Sequence, residues 1–159
     1  MHSSYTYPKN VVTPTRLALI EFARQVNPTH DLTLNFHDFY RPEVAEDCLT
    51  KWYRQVLQRL FGRRCFQLPR DQLIEFVAFP EFSTAGHPHF HCAARIPASH
   101  LSYFERIAAD RWKAIVPTSS LYLQPIRQTE QEHADYFDYI TKSSSARDVI
   151  HSSMLLPEM

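Results

Sequence analysis

Two consecutive strand-forming runs constrain this chain more than any other feature of it. Leu73-Ile74-Glu75-Phe76-Val77-Ala78-Phe79-Pro80-Glu81 is rich in branched and aromatic residues, and five residues, 82–86, separate it from His87-Pro88-His89-Phe90-His91-Cys92-Ala93-Ala94. A connection of that length ending in Gly86 predicts an antiparallel hairpin. The second run carries imidazoles at alternate positions, and the period of two along a strand puts His87, His89 and His91 on one face. Imidazoles spaced this way can converge on one divalent metal, and a neighbouring strand can add a carboxylate. In a paired hairpin Glu81 lies near the start of the histidine strand and Glu75 further down the ladder, so Glu81 is the expected third ligand and Glu75 the reserve. The competing reading is a histidine-rich surface strand, or a metal that only holds the fold.

At 159 residues the chain is expected to form one domain with a core that needs no staples. Seventeen basic and seventeen acidic side chains cancel, so any surface for nucleic acid has to be local. Cys48, Cys65 and Cys92 are odd in number and contain no CxxC pair, which argues against a disulfide framework and a zinc ribbon and makes a reducing cytoplasm the simplest expectation. Met1-His2-Ser3-Ser4-Tyr5 lacks a basic segment leading into an apolar run, and no stretch approaches a membrane span, so no membrane partner is expected. With two glycines, Gly62 and Gly86, the chain cannot build a glycine-rich phosphate loop, which argues against a nucleotide-hydrolysing motor.

Residues 15–26 form a short helix with a weak stripe of Leu17, Ile20 and Ala23. Asp31-Leu32-Thr33-Leu34-Asn35-Phe36-His37 alternates as a half-buried strand whose polar side, Thr33, Asn35 and His37, could line a site. Pro42 then opens the strongest helix, with Val44, Leu49, Trp52, Val56 and Leu60 as its stripe and Gly62 as its C-terminal cap. Its late turns and exit carry Lys51, Arg54, Arg59, Arg63 and Arg64, with Arg70 beyond, interleaved with Tyr53 and Phe66. That is a local basic patch suited to phosphate contacts on a single strand, the alternative being a solvated helix face. A further helix follows Pro97, with Leu101, Phe104, Ile107 and Trp112 on its buried side, and a short strand covers 121–126. Thr129-Glu130-Gln131-Glu132 has the form of a capping box, and the helix it opens runs to about Lys142. At about 100° per residue, Phe137 and Ile140 set its apolar stripe, Tyr136 lies at the edge, and Tyr139 and Lys142 fall together off it.

This order of elements fits an α+β fold: a central antiparallel sheet of the ferredoxin-like kind, helices packed mainly on one side, and the histidine hairpin at its centre. The whole chain, 1–159, reads as a single domain with a core at about 31–142, an N-terminal extension (1–30) and a C-terminal tail (143–159) anchored by Val149-Ile150 and Met154-Leu155-Leu156.

Leu32-Thr33-Leu34, Gly86-His87-Pro88-His89-Phe90-His91 and Tyr139-Ile140-Thr141-Lys142 together resemble the three ordered motifs of HUH endonucleases of the rolling-circle replication initiator (Rep) class. The resemblance lies in order and spacing rather than in one motif. It implies that His89 and His91, flanking Phe90, bind the metal with Glu81, that His87 is an extra ligand held in reserve, and that Tyr139 and Lys142 are the catalytic pair, with Tyr136 a possible second tyrosine. It also implies a plasmid- or phage-encoded protein of a prokaryotic cytoplasm that acts on single-stranded DNA at an origin or hairpin. The family's helicase module has no counterpart here, so unwinding would fall to supercoiling or a host helicase.

The chemistry is coherent on its own terms. A phosphodiester is a poor electrophile with a poor leaving group, and Mg2+ or Mn2+ that withdraws charge from the nonbridging oxygens makes attack by a tyrosine feasible. Tyr139 would become joined to the 5′ end, and Lys142 would steady the phosphate or the phenolate. Such a link conserves the bond energy, so the same site can rejoin strands. Three alternatives remain: a transposase of the same superfamily; a histidine triad nucleotide hydrolase with His89 as nucleophile, a pattern into which Pro88 fits poorly; and a DNA-binding domain whose histidines merely stabilise it.

Overall fold

The computed structural model describes residues 13–127, 129–142 and 148–158. Helix α1 (Pro14–Arg24) leads into strand β1 (His30–Asn35), helix α2 (Pro42–Phe61), strands β2 (Glu75–Phe82) and β3 (Pro88–Arg95), and helix α3 (Ala98–Ile115). Strand β4 (Ser120–Pro125), helix α4 (Glu130–Thr141) and the short strand β5 (Ile150–His151) complete the order. The strands form one sheet in the order β4-β1-β3-β2-β5, with every pair antiparallel, so β3 is central and β2 its neighbour. The first four of these strands, with α2 and α3 as crossovers, make the ferredoxin-like arrangement.

The alternation of the strands sorts the core into two layers. Leu32, Leu34, Phe76, Ala78, Phe90 and Cys92 face α2 and α3, the two longest helices, and the large cluster there is built on Leu49, Trp52, Val56, Phe104 and Trp112. The polar tips of three large aromatic residues in this layer are satisfied: Trp52 Nε1 donates to the Ala108 carbonyl at 2.9 Å, Trp112 Nε1 to that of Asn35 at 3.1 Å, and the Tyr53 hydroxyl to that of Ile74 at 2.6 Å. On the reverse face Val77, Phe79 and Ala93 pack with Leu19, Ala23 and Val26 at α1 and with Phe137 and Ile140 of α4. This second, smaller layer is the one that matters for the site.

Several local expectations shift. The hairpin connection is Ser83–His87 rather than 82–86, closed by Ser83 N donating to the His87 carbonyl at 3.0 Å, because Phe82 still pairs with Pro88. His87 therefore belongs to the turn and not to the strand face. β1 ends at Asn35, and His37 has a positive φ of 57° and holds the Ser120 hydroxyl at 2.6 Å. The C-terminal segment is more than a tail: β5 extends the sheet against β2, Ile150 and Leu155 enter the main core, and the buried Ser152 hydroxyl accepts from Phe76 N at 3.0 Å. Met154, expected to anchor it, is exposed. The tripeptide Ser143-Ser144-Ser145 and the N-terminal residues 1–12 lie outside the described residues. No helix among the described residues is long and apolar enough to cross a membrane.

Candidate active site

Strand register assembles the site. Glu81 of β2 stands directly across from His89 of β3, and His91 stands across from Phe79 on one side and Thr33 on the other. Directly opposed side chains on one face lie about 4.5–5.5 Å apart at Cβ, so a carboxylate and two imidazoles meet without distortion of the backbone. Glu81 Oε2 lies 2.8 Å from His89 Nε2 and 3.4 Å from His91 Nε2, and the two rings meet edge to face with centroids 4.9 Å apart. The ligating atoms of Glu81, His89 and His91 all fall within 4.8 Å of one another. On its far side His91 Nδ1 meets the Thr33 hydroxyl at 3.4 Å, which turns Nε2 towards Glu81.

Burial alone would raise the Glu81 carboxyl, but the His89 hydrogen bond and the charges of His91, His89 and Lys142 outweigh it and hold Glu81 below the usual carboxylate range. Burial pushes His91 down, as do the charges of His89 and Lys142, against the opposing pull of Glu81. An ionised carboxylate beside a neutral imidazole is the protonation state that a cation requires. The site passes a second test: Glu81 Oε1 is buried and has no hydrogen-bond partner among the described residues. A buried carboxylate oxygen left unpaired is costly, and a cation is the partner that this two-nitrogen, one-carboxylate set would accept.

Helix α4 supplies the rest. Thr129 caps it by accepting from Glu132 N at 3.3 Å, while its hydroxyl donates to the Glu132 carboxylate at 2.6 Å. Its apolar stripe docks on the second layer, and its last turn lies over β3. Tyr139 is 40% exposed, its ring meets that of His91 with centroids 5.7 Å apart, and Lys142 Nζ lies 4.3 Å from the Tyr139 ring centroid. Tyr136, one turn earlier, points inwards: its hydroxyl donates to the Cys92 carbonyl at 3.3 Å and to Asp31 Oδ1 at 3.4 Å. Burial, with the negative charge of Asp31 behind it, raises the Tyr136 phenol well above its ordinary value.

The other sequence-predicted residues stand apart. Glu75 lies at the far end of the hairpin, paired with Arg95 at 3.1 Å. His87 is absent from the cluster. Lys51, Arg54, Arg59, Arg63 and Arg64 belong to α2 and its exit, on the opposite face of the sheet, and Arg63 and Arg64 lead towards the Glu75 end. Arg54 is committed to the Leu155 carbonyl at 2.7 Å. The basic patch and the histidine cluster thus do not share a surface.

Two participants carry no motif. Arg16 is buried and bridges α1 to α4: Nε donates to the Thr141 hydroxyl at 3.3 Å, and Nη2 meets the Asp138 carbonyl and, at 2.8 Å, its carboxylate. Asp31 sits on the polar side of β1, where alternation would have pointed to it.

No family model matches this chain, and no curated protein does. A similar solved structure is that of the hypothetical protein ORF119 from Sulfolobus islandicus rod-shaped virus 1, 13% identical, with a TM-score of 0.44 over 80% of this chain and 91% of that one.

Proposed function

We propose that the chain is a metal-dependent single-strand DNA endonuclease and strand transferase of the replication-initiator kind, acting through a 5′-phosphotyrosyl intermediate. One juxtaposition carries the reading: a Glu81–His89–His91 donor set against the ring of a solvent-accessible tyrosine that is itself covered by a lysine. Glu81, His89 and His91 would hold Mg2+ or Mn2+, which when bound supplies Lewis-acid polarisation of the scissile phosphate. The Tyr139 oxygen attacks phosphorus, forming the O–P bond to the 5′ side as the P–O3′ bond breaks. The phenolic proton leaves to solvent, and the 3′ oxygen gains one. Lys142 offsets the negative charge that develops beside the ring. Reversal by a 3′ hydroxyl rejoins the strand, as rolling-circle initiation demands; unwinding belongs to supercoiling or a helicase, and a prokaryotic cytoplasm is the setting.

Tyr139 stands against the His91 ring with Lys142 over it, two groups for which a histidine nucleophile would have no use. That favours the tyrosine mechanism over a histidine triad hydrolase. The test is incubation of the full chain with labelled single-stranded oligonucleotides and Mn2+, followed by a denaturing gel. A covalent protein–DNA adduct is expected; its absence with every strand and metal, alongside hydrolysis of a nucleoside phosphoramidate, would overturn the reading.

A further inference from the structure

Beside Tyr139 lies a groove whose sheet side the cleavage chemistry does not use. Its volume of about 690 Å³ falls within the range of about 300–1,000 Å³ typical of small-molecule sites. Tyr136, Tyr139 and Lys142 of α4 form one wall, and Asp31 and Gln124 form the sheet side. Asp31 and Gln124 are direct cross-strand partners, so they present a carboxylate and a carboxamide side by side. The Tyr136 hydroxyl touches one oxygen of Asp31, and a carboxylate can accept at about four sites, which leaves it able to receive further donors.

We infer that this groove is a base-reading subsite that selects guanine in the strand next to the scissile phosphate. Its position next to that phosphate rests on the strand-cleavage reading. The complementarity is chemical. Guanine presents two adjacent donors, N1–H and the N2 amino group, beside the O6 acceptor. The Asp31 carboxylate accepts from the first two, and the Gln124 amide donates to O6. Thymine has no amino group for the carboxylate, and adenine and cytosine each present fewer donors to it. The tyrosine rings along α4 offer an apolar wall against which a base can lie.

Binding can be measured without cleavage, using the full chain, no metal, and end-labelled thymine pentanucleotides with guanine, hypoxanthine or thymine at the centre. Guanine should bind tighter than thymine by on the order of tenfold, with hypoxanthine, which lacks the N2 amino group, between them. Asp31→Asn keeps an acceptor for Tyr136 and should collapse the preference; Gln124→Ala, at an exposed position, should weaken it. Equal affinity for the three pentamers, no measurable binding of any of them, or a preference that survives Asp31→Asn overturns the proposal. A guanine preference lost in Asp31→Asn, in a protein that forms no adduct, refutes strand cleavage and leaves the subsite standing. Adduct formation with no preference refutes the subsite and leaves cleavage standing.

Discussion

Lys142 Nζ lies 4.3 Å above the ring of Tyr139, on a phenol whose ring also meets the edge of His91. An exposed cation–π contact contributes about 0.5–1 kcal/mol, enough to bias one rotamer of a partly exposed ring without burying it. The lysine also sits at the C-cap of α4, where a cation offsets the partial negative charge of the last carbonyls.

The two tyrosines should therefore behave differently. Tyr139→Phe removes a hydroxyl outside the core and should abolish the covalent adduct while stability stays within about 0.5 kcal/mol. Tyr136→Phe deletes a hydroxyl bonded to Asp31 and the Cys92 carbonyl, so it should cost about 1 kcal/mol and leave the adduct intact. Thermal melts and adduct gels on both variants decide it. An adduct lost in Tyr136→Phe alone reverses the assignment.

The proposed metal ligands predict a separable defect. His89→Ala or His91→Ala should eliminate cleavage while single-strand affinity persists, and excess chelator should reproduce this in the unaltered protein. Isothermal titration with Mn2+ should show one site, absent in Glu81→Gln. Full cleavage in chelator would end the metal assignment.

Acid should destabilise the metal-free protein. Burial holds His30, His91 and His151 below their ordinary value of 6.5, so between the folded and unfolded values the unfolded chain binds more protons. Stability then rises with pH through that window and is lost as pH falls below about 6.5. Glu81, held low, adds a loss further down, as pH approaches its folded value. Denaturant midpoints measured from neutrality towards pH 5 should fall, and His91→Gln should make the decline shallower; an unchanged decline would assign it elsewhere.

Much of this was legible because it followed from period and spacing. The alternation around His89 and His91 and the short hairpin connection are enough, from sequence alone, to bring Glu81 near the start of the histidine strand, whereas its exact partner, His89, depends on Phe82 and Pro88 still pairing, which shifts the register by one pair. The 3.6-residue period likewise separates Tyr139 from Tyr136. What periodicity could not supply was which layer each helix joins. The basic residues of α2 looked like part of the site because charge is visible in sequence, whereas the sheet standing between them and the histidines is not. Arg16 was invisible for the same reason: its partners, Asp138 and Thr141, lie more than a hundred residues away. The β5 strand is a mere two residues long, below the length at which alternation can be read.

That geometry changes the expectation for salt. On the strand-cleavage reading, phosphates close to Tyr139 would meet Lys142 and Arg127, both of which line the groove, with Tyr122, 59% exposed, in the same cross-strand row as Thr33. Replacing Arg127 and Lys142 with glutamine should flatten the dependence of single-strand affinity on salt by about 1.4 units of slope, about 0.7 for each phosphate no longer neutralised. Replacing Arg63 and Arg64 should leave it nearly unchanged. The reverse ranking in polarisation titrations would return strand binding to the α2 face.

Arg16 predicts that α1 is needed for the reaction and not just for packing. Among the other elements, α4 packs most extensively on α1, and the guanidinium grips residues 138 and 141, on either side of Tyr139. Its bond to the Asp138 carbonyl satisfies one of the acceptors that a helix end leaves open, in the turn that carries Tyr139. Arg16→Leu should cost about 1–3 kcal/mol in stability and slow adduct formation, with the strand's binding constant little changed. Arg16→Lys tells a positioning role from a merely structural one. A lysine keeps the charge but cannot fork to a hydroxyl, a carbonyl and a carboxylate at once, so the melting temperature should recover more than the adduct rate. If Arg16→Leu forms the adduct at the unaltered rate, α1 is dispensable to the chemistry, and the alignment of Tyr139 is fixed by the His91 and Lys142 contacts alone.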